Sequence, residues 1–227
     1  IDRTAIPRLI EERKEVPSHF ETVRDLAASA LRAMDARLRY SHETGLVTDI
    51  RFYDPPRKTE PSDVTNEDLQ VLQQLAGIGE LDHLASLNLG YTQVSNDGLV
   101  HIENLASLTY LGLEGTPITD EGLVHLKNLE DLTVLHLQNV PITAAGLTNL
   151  THMQQLRILD LVNSSIDDAA IAPISRFSRL EAVFLNGTQF TKEAQATLKQ
   201  KLPRCFVGLT EKYNDRPERS AALNSQP

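Results

Sequence analysis

A motif of regularly spaced leucines recurs every 24 residues along the middle of the chain. Each of the first four copies begins with the pattern LxxLxL, and the fifth has Val183 in place of the second leucine. The first leucine falls at five positions: Leu84, Leu108, Leu132, Leu156 and Leu180. A fixed period of about 20 to 29 residues is typical of a solenoid, in which each unit buries its apolar side by stacking against the next unit. The pattern therefore predicts stacked coils, with one side of the stacked strands free to contact another molecule.

Each unit is predicted to contain a strand, a turn and a short helix. Residues whose side-chain oxygens can accept hydrogen bonds from free helix N–H groups occupy the expected cap positions. These residues are Ser95, Thr119, Thr143, Asp167 and Thr191. A small residue follows three positions later in every copy, which predicts close helix packing with no space for a larger side chain. These small residues are Gly98, Gly122, Gly146, Ala170 and Ala194.

The turn between strand and helix carries a hydroxyl in four of the five copies. The residues at this position are Thr92, Thr116, Val140, Ser164 and Thr188. We expect the hydroxyls to satisfy backbone groups between adjacent coils, which Val140 cannot do.

The segments that flank the regular units differ from them in pattern. Apolar residues at helical spacing predict a cap helix from Ser18 to about Asp35, followed by a hairpin strand that closes the open end of the core. The last 18 residues are polar and show no period, so they are predicted to form a tail with little fixed structure. The predicted divisions are a linker, a cap, a repeat domain and a tail, at residues 1–17, 18–45, 46–209 and 210–227.

The first repeat is irregular because it carries two insertions, at residues 53–64 and 75–80. Insertions in solenoid repeats map to loops on one face, and that face is often the binding face. Since surface loops also tolerate extra length at little cost, a plain loop is the simpler interpretation.

Charge and cysteine content restrict the partners and the chemistry. The chain has a net charge of −9, and residues 81–200 hold 13 acidic and 6 basic residues. Such a surface repels phosphate backbones, so nucleic acid is not an expected partner, and a basic partner is weakly favoured. Cys205 is the only cysteine, so neither an intrachain disulfide nor a cysteine-based zinc site is expected.

Neither a membrane-spanning segment nor a signal peptide is visible in the sequence. The chain begins at Ile1 instead of Met, so any targeting segment is expected to have been lost with the native N-terminus. The compartment therefore stays open, and an extracytoplasmic location is expected if that segment was a signal or an anchor.

The units VSNDGLVHI, ITDEGLVHL and ITAAGLTNL resemble bacterial leucine-rich repeats of the 24-residue T-x-I-T-D-x-G-L type, in the ribonuclease-inhibitor-like superfamily. The resemblance covers roughly residues 46–209. It implies an α/β fold: a right-handed solenoid with a parallel concave sheet and convex helices, used for protein recognition and without shared catalytic residues. This sequence departs from the pattern at Val140 and at Ala144, where the TD pair is lost.

Residues that alternate with the core leucines are predicted to line the concave face. Adjacent strands are about 4.8 Å apart, so the apolar residues among them are expected to form one continuous area with Tyr110 and Phe184 as anchors. The alternative is that β-branched and aromatic residues merely suit strands. The predicted partner-binding residues are Tyr110, Glu114, Val134, His136, Ile158, Asp160, Val162 and Phe184.

Catalytic and metal chemistry find little support in the sequence. His136 and Asp160 fall on neighbouring repeats and resemble a catalytic dyad, but the adjoining positions carry no Ser or Cys nucleophile, so a polar pair is the preferred interpretation. His101 and His125 lie one repeat apart without a third ligand, so no metal site is predicted. No phosphate-binding loop occurs, and no cofactor is expected.

The sequence thus predicts a non-enzymatic module that binds a protein or peptide through the concave face. Two alternatives remain open. One is a structural or tethered envelope scaffold, and the other is an accessory enzyme with chemistry near His136 and Asp160.

Overall fold

The computed structural model describes residue 29 and residues 31–52, 62–77, 79 and 81–208. Within these residues, eight strands form a single sheet whose spatial order follows the chain order. The first two strands pair antiparallel, and every later pair is parallel. The strands are β1 (Arg37–Tyr40), β2 (Val47–Arg51), β3 (Ser86–Asn88), β4 (Tyr110–Gly112), β5 (Val134–His136), β6 (Ile158–Asp160), β7 (Ala182–Phe184) and β8 (Phe206–Gly208).

The pairing register repeats the 24-residue period of the sequence. Leu87 pairs with Leu111, and Leu111 pairs with Leu135, so equivalent side chains of successive coils lie directly beside each other. The predicted core leucines are buried in one continuous core. The described part of the chain is therefore an α/β leucine-rich repeat solenoid, as the sequence predicts.

Short helical segments connect the strands on the other side of the core. The first of them, Gln70–Gly77, is an α-helix. The next two repeats use 3-10 helices where the sequence predicted ordinary short helices, and the later repeats are mainly α-helical. The remaining segments are 3-10 helices at Asn96–Ile102, Gly122–Leu126 and Asp168–Ala170, and α-helices at Ala144–Thr148, Ile171–Ile174 and Lys192–Lys201.

Three of the five predicted helix caps are confirmed. Thr143, Asp167 and Thr191 each accept a hydrogen bond from a helix N–H group. The prediction is wrong for Ser95 and Thr119, neither of which caps its helix. Their hydroxyls are taken up by the preceding repeat, because Asn66 Nδ2 donates to Ser95 Oγ and Asn96 Nδ2 donates to Thr119 Oγ1, each at 2.8 Å.

These two contacts belong to a ladder of side-chain hydrogen bonds on the helical side. In each rung, an Asn or Asp of one repeat accepts from the backbone N–H of the cap residue in the next repeat and also bonds to that residue's hydroxyl. The rungs join Asn66 to Ser95, Asn96 to Thr119, Asp120 to Thr143, and Asp168 to Thr191. Ala144 occupies the position from which an Asn or Asp would bond to Asp167 in the next repeat. The loss of the TD pair at this position therefore removes one rung of the ladder.

The ladder also explains the column of small residues. A Cβ atom at Gly122 would collide with the Asn96 side chain, and one at Gly146 would collide with the Asp120 carboxylate. At the three glycines of the column, the space is therefore filled by the polar side chain of the preceding repeat, while Ala170 and Ala194 hold a Cβ atom at the equivalent position.

The turn hydroxyls act within one coil, and the prediction that they bridge adjacent coils is wrong. Thr92 and Thr116 each donate to the carbonyl oxygen three residues earlier, at 2.7 Å, and Ser164 and Thr188 make the same contact. Val140 is buried, and its backbone N–H bonds to the Leu137 carbonyl oxygen. One coil can therefore lack the hydroxyl without losing a link to its neighbour.

At the N-terminal end, the predicted hairpin is present as β1 and β2, and β2 pairs with the first repeat strand. Most of the predicted cap helix lies outside the described residues, as do the linker 1–17, the tail 210–227 and residues 53–61 of the first insertion. The described structure resumes at Ser62, whose backbone N–H donates to the Tyr91 carbonyl oxygen. The start of the second insertion belongs to the helix Gln70–Gly77.

The rung between Asp120 and Thr143 can be tested by a double-mutant cycle. We expect Asp120→Ala to lower the free energy of unfolding by about 1 to 3 kcal/mol, because it removes two hydrogen bonds. Gly146→Ala alone should also destabilise the fold, since its methyl group collides with the carboxylate. In the Asp120→Ala background the same Gly146→Ala change should cost less, as measured by urea unfolding. Strictly additive effects would show that the glycine is required for another reason.

Candidate protein-interaction face

The side of the sheet opposite the core carries two columns of side chains in strand register. We call this surface the open face. The first column contains Asp49, Ser86, Tyr110, Val134, Ile158, Ala182 and Phe206, and the second contains Arg51, Asn88, Gly112, His136, Asp160, Phe184 and Gly208. Because side chains alternate along a strand, the residue between the two columns points into the core at every step.

The first column forms an apolar strip across the later strands. Tyr110, Val134, Ile158 and Ala182 are each partly exposed on successive strands. Phe206 extends the strip on the last strand and is 44% exposed. Its ring centroid lies 5.8 Å from that of Phe184 in the second column, so the two phenylalanines form an aromatic pair at this end of the open face.

The positions of six predicted binding residues are compatible with contact to a partner, because all are partly exposed. They are Tyr110, Glu114, Val134, His136, Ile158 and Phe184. Whether they bind a partner stays a prediction.

Asp160 and Val162 are buried, with 2% and 4% of their surfaces exposed, so the prediction that they line an accessible surface is wrong. The Asp160 carboxylate turns back to its own chain and accepts a hydrogen bond from the Val162 backbone N–H at 3.1 Å. Asn88 makes the same contact to the Gly90 N–H at 2.8 Å. This is the local turn contact that Asp and Asn side chains commonly make.

His136 lies between Gly112 and Asp160 in strand register. Its imidazole packs edge-on against the Tyr110 ring, with centroids 5.3 Å apart, and its Nδ1 atom lies 3.4 Å from the Tyr110 hydroxyl oxygen. His136 therefore contacts Tyr110, while the buried Asp160 carboxylate accepts a hydrogen bond from the turn of its own coil.

The end of the open face that is nearer the N-terminus is polar. Arg51 and Asp49 form a two-point ion pair, with Nε–Oδ1 at 2.9 Å and Nη2–Oδ2 at 3.1 Å. Asn88 Nδ2 donates to Glu114 Oε1 at 3.3 Å. Burial, and after it the charge of Glu114, raises the pKa of Tyr110 well above its usual value, so this phenol stays protonated under ordinary conditions.

Two residues of this face were missed by the sequence analysis. The first is Phe206, although its position 24 residues after Ala182 continues the column and was a usable signal. The second is Tyr91, which has a φ of 55° and occupies the turn position held elsewhere by Gly115, Asn139, Asn163 and Gly187. A bulky residue in the left-handed region is uncommon, and sequence spacing alone does not reveal its orientation.

Cys205 is buried near the aromatic pair, and burial raises the pKa of its thiol to about 11. A thiol of this kind is a poor nucleophile, because the thiolate is the reactive form. No three His, Cys, Asp or Glu side chains in the described ranges are placed to hold a metal ion. In the same ranges, no helix is long and apolar enough to cross a bilayer.

No family model matches the chain, and no curated protein matches it. Several solved structures are similar to it. An internalin of Listeria monocytogenes is 19% identical, with 92% of this chain and 63% of the internalin covered and a TM-score of 0.48. Internalin C2 of the same organism is 16% identical, with 92% of each chain covered and a TM-score of 0.47.

A TDR receptor is 19% identical over 60% of this chain, with a TM-score of 0.44, and the match spans 24% of the receptor. A leucine-rich repeat protein of Leptospira interrogans is 19% identical over 62% of this chain and 45% of its own, with a TM-score of 0.40. At these identities and TM-scores, the likenesses carry nothing about function.

We expect Cys205 to react slowly with iodoacetamide at pH 8 in the folded protein, because its thiol is buried and almost wholly protonated. In 6 M guanidinium chloride, a denaturing condition chosen to expose the thiol, labelling should be faster by about tenfold or more. Mass spectrometry of timed samples measures both rates. Equal rates in the two conditions would contradict the buried placement.

Proposed function

We propose that this chain is a non-enzymatic interaction module that binds a protein or peptide through the open face of its sheet. The observation that carries the proposal is the apolar strip from Tyr110 to Phe206, which continues across five successive strands. The core is filled by residues that point to the other side of the sheet, and the strip lies outside that core. Exposed apolar area that is continuous and bordered by polar groups commonly marks a recognition surface.

The aromatic residues supply the strongest expected contacts. Phe184 and Phe206 lie together at one end of the strip, while Tyr110 and His136 lie together in the middle of the face. Large rigid side chains of this kind dominate binding energy when a partner excludes water from them. A partner that covers both groups would span five strands, from β4 to β8.

We expect an Ile158→Arg, Phe184→Glu variant to lose a partner that the wild-type domain retains in a pull-down from the lysate of the organism that encodes it. Each substitution places a charge in a surface that binding would desolvate, so the loss should exceed about tenfold. The measurement is quantitative mass spectrometry of the retained proteins.

A matched control carries the same two charge changes on the helical side. Val124→Arg, Thr148→Glu alters two exposed residues there, of which Val124 is 45% exposed. This control should retain the partner as the wild type does. If the control and the open-face variant lose it equally, or neither loses it, the open face is not the binding surface.

A further inference from the structure

Glu114 lies in a cleft that two glycines create on the open face. A Cβ atom at Gly90 would lie 2.5 Å from the Glu114 Cδ atom, and one at Gly112 would lie 2.9 Å from Oε2. Later repeats carry larger residues at the two corresponding positions, such as Gln138 and His136. The sequence thus leaves room for this carboxylate to lie across the sheet between β3 and β4.

The charge of this carboxylate is not balanced within the described residues. Oε1 accepts one hydrogen bond, from the Asn88 amide, while Oε2 is covered and accepts none in that part of the chain. Glu114 forms no ion pair there, whereas the neighbouring Asp49 has Arg51 as its cation. A partly exposed carboxylate without an ion-pair partner in the described residues is a group to which a cation can add through a charge-assisted hydrogen bond.

Two tyrosines lie close to Glu114. Tyr91 lies across Gly115, since a Cβ atom there would meet its ring at 2.7 Å, and its backbone N–H bonds to the Glu114 carbonyl oxygen. Tyr110 lies close enough for the Glu114 charge to influence its ionisation. A carboxylate with an aromatic ring nearby is a combination that binds guanidinium and ammonium groups, through charge-assisted hydrogen bonds and contact with the ring face.

The distance from Glu114 to the pair of Phe184 and Phe206 determines how far apart two contacting residues of a bound peptide must be. Three strand intervals of about 4.8 Å separate β4 from β7, and Glu114 lies two residues beyond Gly112, which shares a row with Phe184. The two Cα atoms are therefore roughly 16 Å apart, and an extended chain rises about 3.3 Å per residue. About five residues of an extended peptide cover that distance.

We infer that the partner of the open face is an extended peptide segment with an Arg or Lys that binds Glu114 and an aromatic or large aliphatic residue, about five positions away, that packs on Phe184 and Phe206. The inference rests on the proposed function, because both contacts lie on the open face. Charge complementarity supports it, since residues 81–200 hold 13 acidic against 6 basic residues.

A phage-displayed library of random 12-residue peptides, panned against the immobilised full chain, tests the inference. Peptides that bind wild type but not Ile158→Arg, Phe184→Glu should carry a basic residue about five positions from an aromatic or large aliphatic one. For fluorescein-labelled peptides of this kind, Glu114→Gln should weaken binding by more than about tenfold, as measured by fluorescence anisotropy.

Glu181→Gln is the matched control. Glu181 is another carboxylate on the sheet, but it already pairs with Arg157 at 2.6 Å, so its removal should leave peptide affinity unchanged. Replacing the basic residue of the peptide by Gln should weaken binding to wild type as much as Glu114→Gln does, and should have no further effect on that variant. The effect of the peptide substitution on wild type is measured on unmodified protein, so that result stands even if Glu114→Gln alters the fold.

The outcomes separate the two proposals. Peptides that require Ile158 and Phe184 but bind Glu114→Gln and wild type equally would overturn the cation site and leave the proposed function in place. Peptides that bind the open-face double variant as well as wild type would count against the proposed function itself. If no peptide prefers wild type to the double variant, both proposals fail.

Discussion

The rest of the structure depends on the stacking of equivalent leucines in adjacent coils. A single coil exposes most of its apolar side chains, and only the next coil, in strict register, removes them from water. The pairing of Leu87 with Leu111 and of Leu111 with Leu135 fixes that register along the sheet. Once the register is fixed, the residues at each position of the repeat line up in a column across the sheet. Each side chain then lies one strand away from its equivalents in the two adjacent repeats.

The two sides of the core use their columns differently. On the helical side, Asn and Asp residues bond to the cap residue of the next repeat and satisfy backbone N–H groups that helix starts leave free. On the open face, Asn88 and Asp160 each accept a hydrogen bond within their own turn, Asn88 also donates to Glu114 of the next repeat, and the first column carries apolar residues on the later strands. The ladder of polar links between repeats thus lies on the helical side.

The open face is itself divided. Its N-terminal end holds the Asp49–Arg51 pair and Glu114, while its C-terminal end holds Phe184 and Phe206. A ligand that covers the whole face meets charge at one end and aromatic surface at the other. This polarity would fix the direction of a bound peptide as well as its position, which a uniform apolar strip would not do.

The sequence by itself determined the solenoid, its 24-residue register and the columns of the open face, because leucine burial repeats with a period that only stacked coils satisfy. It did not determine which polar side chains in those columns remain accessible. Asp160 turned out to be buried because a short carboxylate can reach the N–H two residues ahead. The Ser95 hydroxyl oxygen, which a cap would use as an acceptor, accepts instead from the Asn66 amide of the preceding repeat. The orientation of Glu114 between Gly90 and Gly112 likewise depends on neighbouring strands. Such choices belong to tertiary structure, since they are decided by side chains that approach one another only after the coils have stacked.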